Sequence, residues 1–185
     1  MKKVILTYGV IAGSIVAAMM FITMPMHENG TINFENGELV GYTTMVVALS
    51  MVFFGIKSYR DNYANGIITF WQGAKVGLLI TAIASVMYAL AWEVNYQMMD
   101  TDYLASWTES YLVKLEKEGA TQAELQETKE FWTTFQEWYK NPFVRFGATL
   151  MEIVPVGLAV TLASAALFRI KRFLPADPKV TNATS

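Results

Sequence analysis

Four long apolar stretches dominate the pattern of hydrophobic and polar positions along the chain. They cover residues 4–26, 39–56, 69–94 and 143–168. A helix of about 20 apolar residues crosses the roughly 30 Å hydrocarbon layer of a bilayer, so each stretch has about the length of a membrane span. The pattern predicts an all-α integral membrane protein, in which the four spans form a helical bundle within a single membrane domain at residues 1–174. The polar remainder, residues 175–185, is predicted to be a disordered cytoplasmic tail.

A helical hairpin is predicted between the third and fourth spans, over about residues 100–140. Its apolar and aromatic positions recur every three or four residues, which is the spacing of one helix face. Gly119 is expected to end the first helix, and Thr121 with Glu124 has the spacing of a capping box that begins the second. We expect the two apolar faces to bury each other on top of the bundle; an exposed aromatic groove for a ligand or protein is the alternative. The faces are formed by Leu104, Trp107, Tyr111 and Leu115, and by Leu125, Trp132, Phe135 and Tyr139.

The charges that flank the four spans predict the orientation of the protein. On the side that carries both termini, eight lysines and arginines stand against two aspartates. The other side carries twelve acids against four lysines, a sum of minus eight. Because the side rich in lysine and arginine normally remains in the cytoplasm, we expect cytoplasmic N and C termini and an extracytoplasmic hairpin.

Two tryptophans and a lysine fit this arrangement at the third span. Trp71 and Trp92 are 21 residues apart, which corresponds to about 31 Å of helix, and we expect them to anchor the span at the two membrane interfaces. Lys75 lies one turn inside Trp71, so its long side chain can reach the cytoplasmic surface. We therefore expect no further role for Lys75.

Small residues at four-residue intervals predict close helix packing, because helices in lipid approach each other through such residues. The first span carries Gly9, Gly13 and Ala17 in this register, and the third span carries a longer series. We expect these two faces to pack against each other within the chain; homodimer formation through either face is the alternative. The third-span series consists of Gly73, Gly77, Thr81, Ser85, Ala89 and Glu93.

Glu93 and Arg145 are opposite charges at the hairpin ends of the third and fourth spans. They are level with each other by residue counting, so an interhelical ion pair is predicted. A half-buried pair satisfies both charges with little net stabilisation. Its expected role is therefore to fix the geometry beneath the hairpin.

Glu152 is a carboxyl residue about 14 Å beyond Phe143 along the fourth span, too deep for its side chain to reach water along the helix. It shares a helix face with Thr149, so we expect it to point into the bundle. Pro155 lacks an N–H and frees the carbonyl of Met151, where a small polar pocket could open. We expect a protonated carboxyl that donates to a tyrosine, threonine or free carbonyl. The alternatives are a proton- or ion-coupled role, or a polar anchor for a lipid or small ligand.

The composition agrees with a membrane location and excludes several kinds of functional site. Hydrophobic residues make up 54% of the 185-residue chain and charged residues 16%, below the roughly 25% of soluble domains. Cysteine is absent and histidine occurs once, which excludes disulfides, thiol catalysis, iron–sulfur clusters and metal sites built from cysteines or several histidines, so we expect no cofactor and no metal ligands. The net charge of -2 gives no reason to expect a nucleic-acid partner. The expected partner is the lipid bilayer, with a second copy of the chain or another membrane protein as further candidates.

Five short segments of the sequence resemble motifs of a known protein family. They are FFGIKSYRD at 53–61, GIITF at 66–70, WEVNY at 92–96, NPFVRFG at 141–147 and MEIVPVG at 151–157. They are similar to motifs of the bacterial domain-of-unknown-function family numbered 4199, and the resemblance covers nearly the whole chain. It implies a four-span protein of the bacterial inner membrane, without any activity, substrate or cofactor. Asn65 stands where this family typically has a glycine before Gly66. Glu93, Arg145, Glu152 and Pro155 lie within the similar segments.

The sequence favours a binding or assembly role over catalysis, because its spans carry no recognisable catalytic set. The second hypothesis is a small transporter or permeation subunit that uses the carboxyl of Glu152. The third is an intramembrane enzyme that uses Glu152 or Glu93 as acid or base. A cavity that connects Glu152 to either side of the membrane would favour transport, and a dry, hydrogen-bonded carboxyl would favour a structural role. A concave aromatic face on the hairpin would indicate a binding site.

Overall fold

The computed structural model describes residues 1–28, 31–32, 34–99, 103–170 and 173–175. Within these ranges the fold is entirely helical, with six helices and no strand. The helices are α1 (Lys2–Glu28), α2 (Phe34–Tyr63), α3 (Phe70–Met98), α4 (Tyr103–Lys117), α5 (Gln122–Tyr139) and α6 (Pro142–Phe168). The predicted disordered tail, residues 175–185, lies outside the described residues except for its first position.

Four of these helices, α1, α2, α3 and α6, are long and apolar enough to cross a membrane. The predicted all-α membrane architecture is thereby confirmed. The largest difference from the predicted limits occurs at α2, which runs from Phe34 to Tyr63 around the predicted span 39–56. The charged residues that end the apolar stretch do not end the helix, because its backbone hydrogen bonds continue through them.

A short turn joins α2 to α3. Asn65 and Gly66 both adopt the left-handed conformation, with φ values of 50° and 76°. The α3 helix then begins at a capping box: the Gln72 N–H donates to Thr69 Oγ1 at 3.3 Å, and the Thr69 N–H donates to Gln72 Oε1 at 3.0 Å. Because the connection is short, α2 and α3 are antiparallel neighbours.

The four spans form a bundle in which α3 packs against α1, α2 and α6. The α2 helix also packs against α1 and α6, whereas α1 and α6 do not touch each other within the described ranges and so occupy opposite corners. The core between the spans is apolar and closely packed. Its most buried members include Ala48, Leu49, Ile80 and Ile153, all of which are 0% exposed.

The small-residue series of α3 packs against α6, so the predicted partner, α1, was wrong. A Cβ atom on Gly73 would lie 3.2 Å from Ala165 Cβ, and one on Gly77 would lie 2.6 Å from Thr161 Cγ2. One turn further along, the hydroxyls of Thr81 and Thr161 are 3.2 Å apart. The α3 helix presents its small face to α6 because both helices carry small residues at this contact.

The glycines of α1 do pack against α3, but on a different face. A Cβ atom on Gly9 would lie 2.8 Å from Ile83 Cβ, and one on Gly13 would lie 2.8 Å from Met87 Cβ. The glycines of α1 therefore make room for large side chains of α3, which is a different form of close packing from a contact between two small faces. Sequence spacing does not distinguish these two forms.

The α4 and α5 helices form the predicted hairpin. The rings of Trp107 and Trp132 meet across it with their centroids 4.5 Å apart. Gly119, with φ of 91°, follows α4, and the Thr121–Glu124 capping box begins α5. Because Thr121 donates to the Glu124 carboxylate, the pKa of that carboxyl is lowered. The hairpin touches α2 through α4 and α6 through α5, so it covers one end of the bundle, hereafter the hairpin end.

At the opposite end, where Lys2 and Phe168 lie, Arg60 is buried and only 1% exposed. Its guanidinium donates to the backbone carbonyls of Phe173, at 2.9 Å, and of Leu174. It also donates to the Asp61 carboxylate at 2.7 Å, and its Cζ lies 4.9 Å from the centre of the Phe168 ring. Arg60 thus attaches the segment after α6 to the end of α2.

Candidate functional site

A partly open cavity of about 1330 Å³ lies between the hairpin and the hairpin end of the four-span bundle. All six helices contribute to its walls. The spans provide the lower part, which includes Met20, Met45, Tyr88 and Glu152, and the hairpin provides the aromatic upper part. Because α4 and α5 lean on α2 and α6, a space remains beneath them that the side chains of the bundle do not fill.

Glu152 brings a carboxyl group to the wall of this cavity. The residue lies ten positions after Pro142 in α6, which corresponds to about 15 Å along the helix. The Tyr88 hydroxyl of α3 donates to Glu152 Oε2 at 3.3 Å. Glu152 lines the cavity but is an exposed residue, so it is less enclosed by the bundle than the sequence predicted. Its partner is one of the predicted kinds, a tyrosine. The protonation state of Glu152 stays a prediction.

Pro155 does not contribute to this site. Its side chain is exposed, and it is not among the residues that line the cavity. The α6 helix continues through Pro155 as one element from Pro142 to Phe168. The polar space beside Glu152 therefore comes from the separation of the helices beneath the hairpin, and the proline-linked pocket that the sequence suggested is not found in the described structure.

Trp92 and Tyr139 form a hydrogen-bonded part of the cavity wall. The indole Nε1 of Trp92 donates to the Tyr139 hydroxyl at 2.7 Å. Tyr139 is 7% exposed, and this burial raises the pKa of its phenol to about 12 although the bond from Trp92 opposes the shift. The two predicted anchors differ in setting, since Trp92 is half-buried against Tyr139 and Trp71 is 79% exposed. Their role as membrane anchors stays a prediction.

Glu93 and Arg145 form the interhelical ion pair that the sequence predicts. Arg145 Nη2 lies 2.6 Å from Glu93 Oε2, and Arg145 Nε lies 3.0 Å from Glu93 Oε1. The side chain of Arg145 is 7% exposed and that of Glu93 is 17% exposed. This two-point geometry is the arrangement in which arginine binds a carboxylate most strongly.

Arg145 has further partners that residue counting does not reveal. Its Nη1 donates to the carbonyls of Tyr139, at 2.9 Å, and Lys140, at 3.2 Å. Its Cζ lies 4.0 Å from the centre of the Tyr96 ring. The two carbonyls belong to the C-terminal end of α5, where a positive charge is favourable. Arg145 therefore joins three helices and holds the hairpin above the cavity.

Several cavity residues were missed by the sequence reasoning. His27, Glu38 and Tyr42 line the cavity together with Tyr88, although none of them was a candidate. The only signal in the sequence was that His27 is the single histidine, and this does not show which residues it meets in the fold. No set of three or more histidine, aspartate or glutamate side chains within the described ranges is placed to hold a metal ion. The arrangement is suited to binding a molecule through aromatic, thioether and carboxyl contacts.

The comparisons with known proteins agree with the family resemblance. A family model described as "Protein of unknown function (DUF4199)" matches residues 7–169. This range includes most of α1 and the whole of α2 to α5, together with all of α6. No curated protein and no solved structure matches the chain.

Proposed function

The chain belongs to the DUF4199 family of proteins of unknown function, and we propose that it is a membrane-embedded binding protein for a small amphipathic molecule. The observation that carries this proposal is the position of Glu152, whose carboxyl group borders a cavity of about 1330 Å³ at the depth of a membrane span. An ionisable residue within a membrane span is by default a candidate functional residue, and a carboxyl group on the wall of a cavity can bind a molecule that enters it.

The size and lining of the cavity support this proposal. Ligand sites in proteins commonly have volumes of roughly 300–1,000 Å³ and combine apolar walls with a few polar groups. The present cavity of about 1330 Å³ is large enough for a molecule of that kind. Its walls combine methionine and aromatic side chains with the Glu152 carboxyl and the Thr149 hydroxyl. A ligand with an apolar body and one polar group would satisfy both kinds of surface.

The packing below the cavity favours binding over free permeation through one chain. Thr81 and Thr161 meet there at 3.2 Å, and a Cβ atom on Gly157 would collide with Thr81. Ile80 and Ile153 are both 0% exposed in the same part of the bundle. The cavity therefore reaches Glu152 from the hairpin end and meets tightly packed helices beyond it.

Transport is the second candidate, and the same cavity is the observation that favours it. A carboxyl group reached from one end is the half of a transport path that an alternating-access protein needs. In this hypothesis, Glu152 would take up a proton or ion, and a rearrangement of α6 against α3 would expose it to the other end.

The proposal includes the cellular setting. We place the hairpin end outside the cytoplasm and both termini inside, in the inner membrane of a bacterium. The support is the flanking charge, with eight basic against two acidic residues on the terminal side. A partner protein or a second copy of the chain is part of this proposal only as a candidate.

Filling the cavity tests the proposed function. Gly41 lines the cavity, and nothing lies within 4 Å of a Cβ atom built on it, so Gly41→Phe would fill space without a collision at Cβ. The purified protein is titrated with the neutral fluorescent probe N-phenyl-1-naphthylamine. Three of the five tryptophans, Trp92, Trp107 and Trp132, line the cavity. We therefore expect saturable energy transfer from tryptophan to the bound probe, weakened about tenfold in affinity by Gly41→Phe.

Gly147→Phe is the matched control. Gly147 also has nothing within 4 Å of its Cβ position, but it does not line the cavity. This variant is expected to bind the probe as the wild type does. The proposal is wrong if the probe shows no saturable binding, or if Gly41→Phe and Gly147→Phe bind it equally well.

A further inference from the structure

The charge of the cavity lining is uniformly acidic apart from one imidazole. Glu38 and Glu152 line the cavity, whereas no lysine or arginine does so among the residues that the structure describes. Arg145 lies nearby, but its charge is paired with Glu93 and directed to the end of α5. The sequence adds to this imbalance, because residues 28–38 and 100–140, which connect the apolar stretches at the hairpin end, together carry twelve acids against four lysines. An anionic ligand would meet no lysine or arginine on the described part of these walls.

The aromatic lining has the chemistry that receives a cation. Seven phenylalanine, tyrosine and tryptophan residues line the cavity, three from the spans and four from the hairpin. The face of such a ring is negative, so it attracts an organic cation that is poorly hydrated. The aromatic residues are Tyr42, Tyr88, Trp92, Trp107, Trp132, Phe135 and Tyr139.

The depth of Glu152 in its span is a third observation that favours a cationic ligand. An ionised carboxylate inside a membrane span is costly unless an opposite charge lies beside it. In the described structure, the Tyr88 hydroxyl donates to this carboxyl at 3.3 Å, and Glu152 is an exposed residue that lines the cavity. A cation that enters the cavity would supply the missing charge, and the carboxylate would in turn remove the cost of burying the cation.

From these observations we infer that the ligand is a hydrophobic organic cation, such as an ammonium or phosphonium ion with aromatic or alkyl substituents. Its charge pairs with the Glu152 carboxylate, and its apolar groups lie against the aromatic and methionine walls. This inference rests on the proposed function, because it names the class of molecule that the binding cavity takes.

Two ions of nearly the same shape and opposite charge test the inference. Tetraphenylphosphonium and tetraphenylborate are titrated separately into the full-length protein in a detergent with a neutral headgroup, and tryptophan fluorescence reports binding. The Gly41→Phe variant provides the baseline for partition into detergent. We expect the phosphonium ion to bind with at least about tenfold higher affinity than the borate ion above this baseline.

Removing the carboxyl charge makes the test specific to Glu152. Glu152→Gln should weaken phosphonium binding about tenfold or more relative to the wild type. The control is Glu127→Gln, since Glu127 is exposed on the hairpin and does not line the cavity. If Glu152→Gln does not fold, as judged by gel filtration, the comparison of the two ions on the wild-type protein decides.

The outcomes separate the two proposals. Equal binding of both ions above the baseline, or stronger binding of the borate ion, overturns the cation inference and leaves the binding function intact. Unchanged phosphonium affinity in a folded Glu152→Gln protein also overturns it. If neither ion nor the neutral probe binds above the baseline, the proposed function fails and the inference fails with it.

Discussion

Arg145 connects α6 to α3 through a two-point contact with Glu93, at 2.6 Å and 3.0 Å, and the same guanidinium holds the carbonyls that end α5. One side chain therefore fixes the relative position of two spans and of the hairpin above the cavity. Because the two charges are largely buried, at 7% and 17% exposure, each depends on the other for compensation.

Single substitutions in this pair should destabilise the protein more than removal of both charges. Arg145→Met or Glu93→Met alone leaves an uncompensated charge and is expected to lower the free energy of unfolding by about 3–5 kcal/mol. The double variant should recover part of this loss, although the carbonyls of Tyr139 and Lys140 remain without their donor. Denaturation of the purified protein in mixed detergent micelles measures all three variants.

The exposed pair of Lys140 and Glu137 provides the control. Both side chains are 66% exposed at a separation of 2.8 Å, so Lys140→Ala should change the free energy of unfolding by no more than about 0.5 kcal/mol. A double variant less stable than both single variants would contradict the account of the buried pair.

The contact of α3 with α6 should be highly sensitive to one added methyl group. A Cβ atom on Gly157 would collide with the side chain of Thr81, so Gly157→Ala forces the helices apart and should cost about 1–3 kcal/mol. Gly147→Ala in the same helix meets nothing within 4 Å and is expected to be neutral or slightly stabilising. Thermal unfolding in detergent compares the two variants, and equal melting temperatures would rule out a tight contact at Gly157.

The main features of the fold could be predicted because they depend on local sequence. Span number follows from the length of apolar stretches, and the hairpin follows from Gly119 and from the capping box of Thr121 and Glu124. The pairing of Glu93 with Arg145 needed only residue counting, since both lie at the same end of adjacent spans. Each of these features is fixed by a short segment or by depth in the membrane.

Features that depend on helix rotation could not be predicted in the same way. Gly73 and Gly77 face α6, while the glycines of α1 face Ile83 and Met87, and one sequence cannot specify which neighbour each face meets. The cavity is still harder to predict from the sequence, because it is the space that remains after six helices have packed together. Tyr88 became the partner of Glu152 only through that packing.

Tyr139 should remain a neutral phenol well above the pH at which an exposed tyrosine ionises. Burial raises its pKa from 10.0 to about 12. The unfolded chain therefore releases this proton first, so the contribution of Tyr139 to stability is fully present below pH 10 and is lost as the pH rises towards about 12. The difference in absorbance titration at 295 nm between wild type and Tyr139→Phe isolates this residue. A transition near pH 10 in that difference would show that the phenol is accessible.

The orientation of the chain can be checked by reporter fusions along its length. Fusions after Met26 and Asn141 should report an extracytoplasmic position, and fusions after Arg60 and Arg172 a cytoplasmic one. The reason is the excess of lysine and arginine on the terminal side. Alkaline phosphatase activity measures the first state, and green fluorescence of a fused fluorescent protein measures the second. Any other alternation would contradict the four-span topology or its direction.

Arg60 should hold the segment that follows α6. Its guanidinium donates to the carbonyls of Phe173 and Leu174 while it is 1% exposed. Arg60→Met keeps the apolar part of the side chain but removes these charged donors, each of which contributes about 1.5–3 kcal/mol. We therefore expect a site-specific protease to cut a recognition sequence placed directly after Leu174 at least about tenfold faster, since cleavage follows the population of the detached segment. Asn62→Ala, at an exposed position of the same helix, should leave the rate unchanged. Equal cleavage of the Arg60→Met protein and the wild type would mean that other contacts hold this segment.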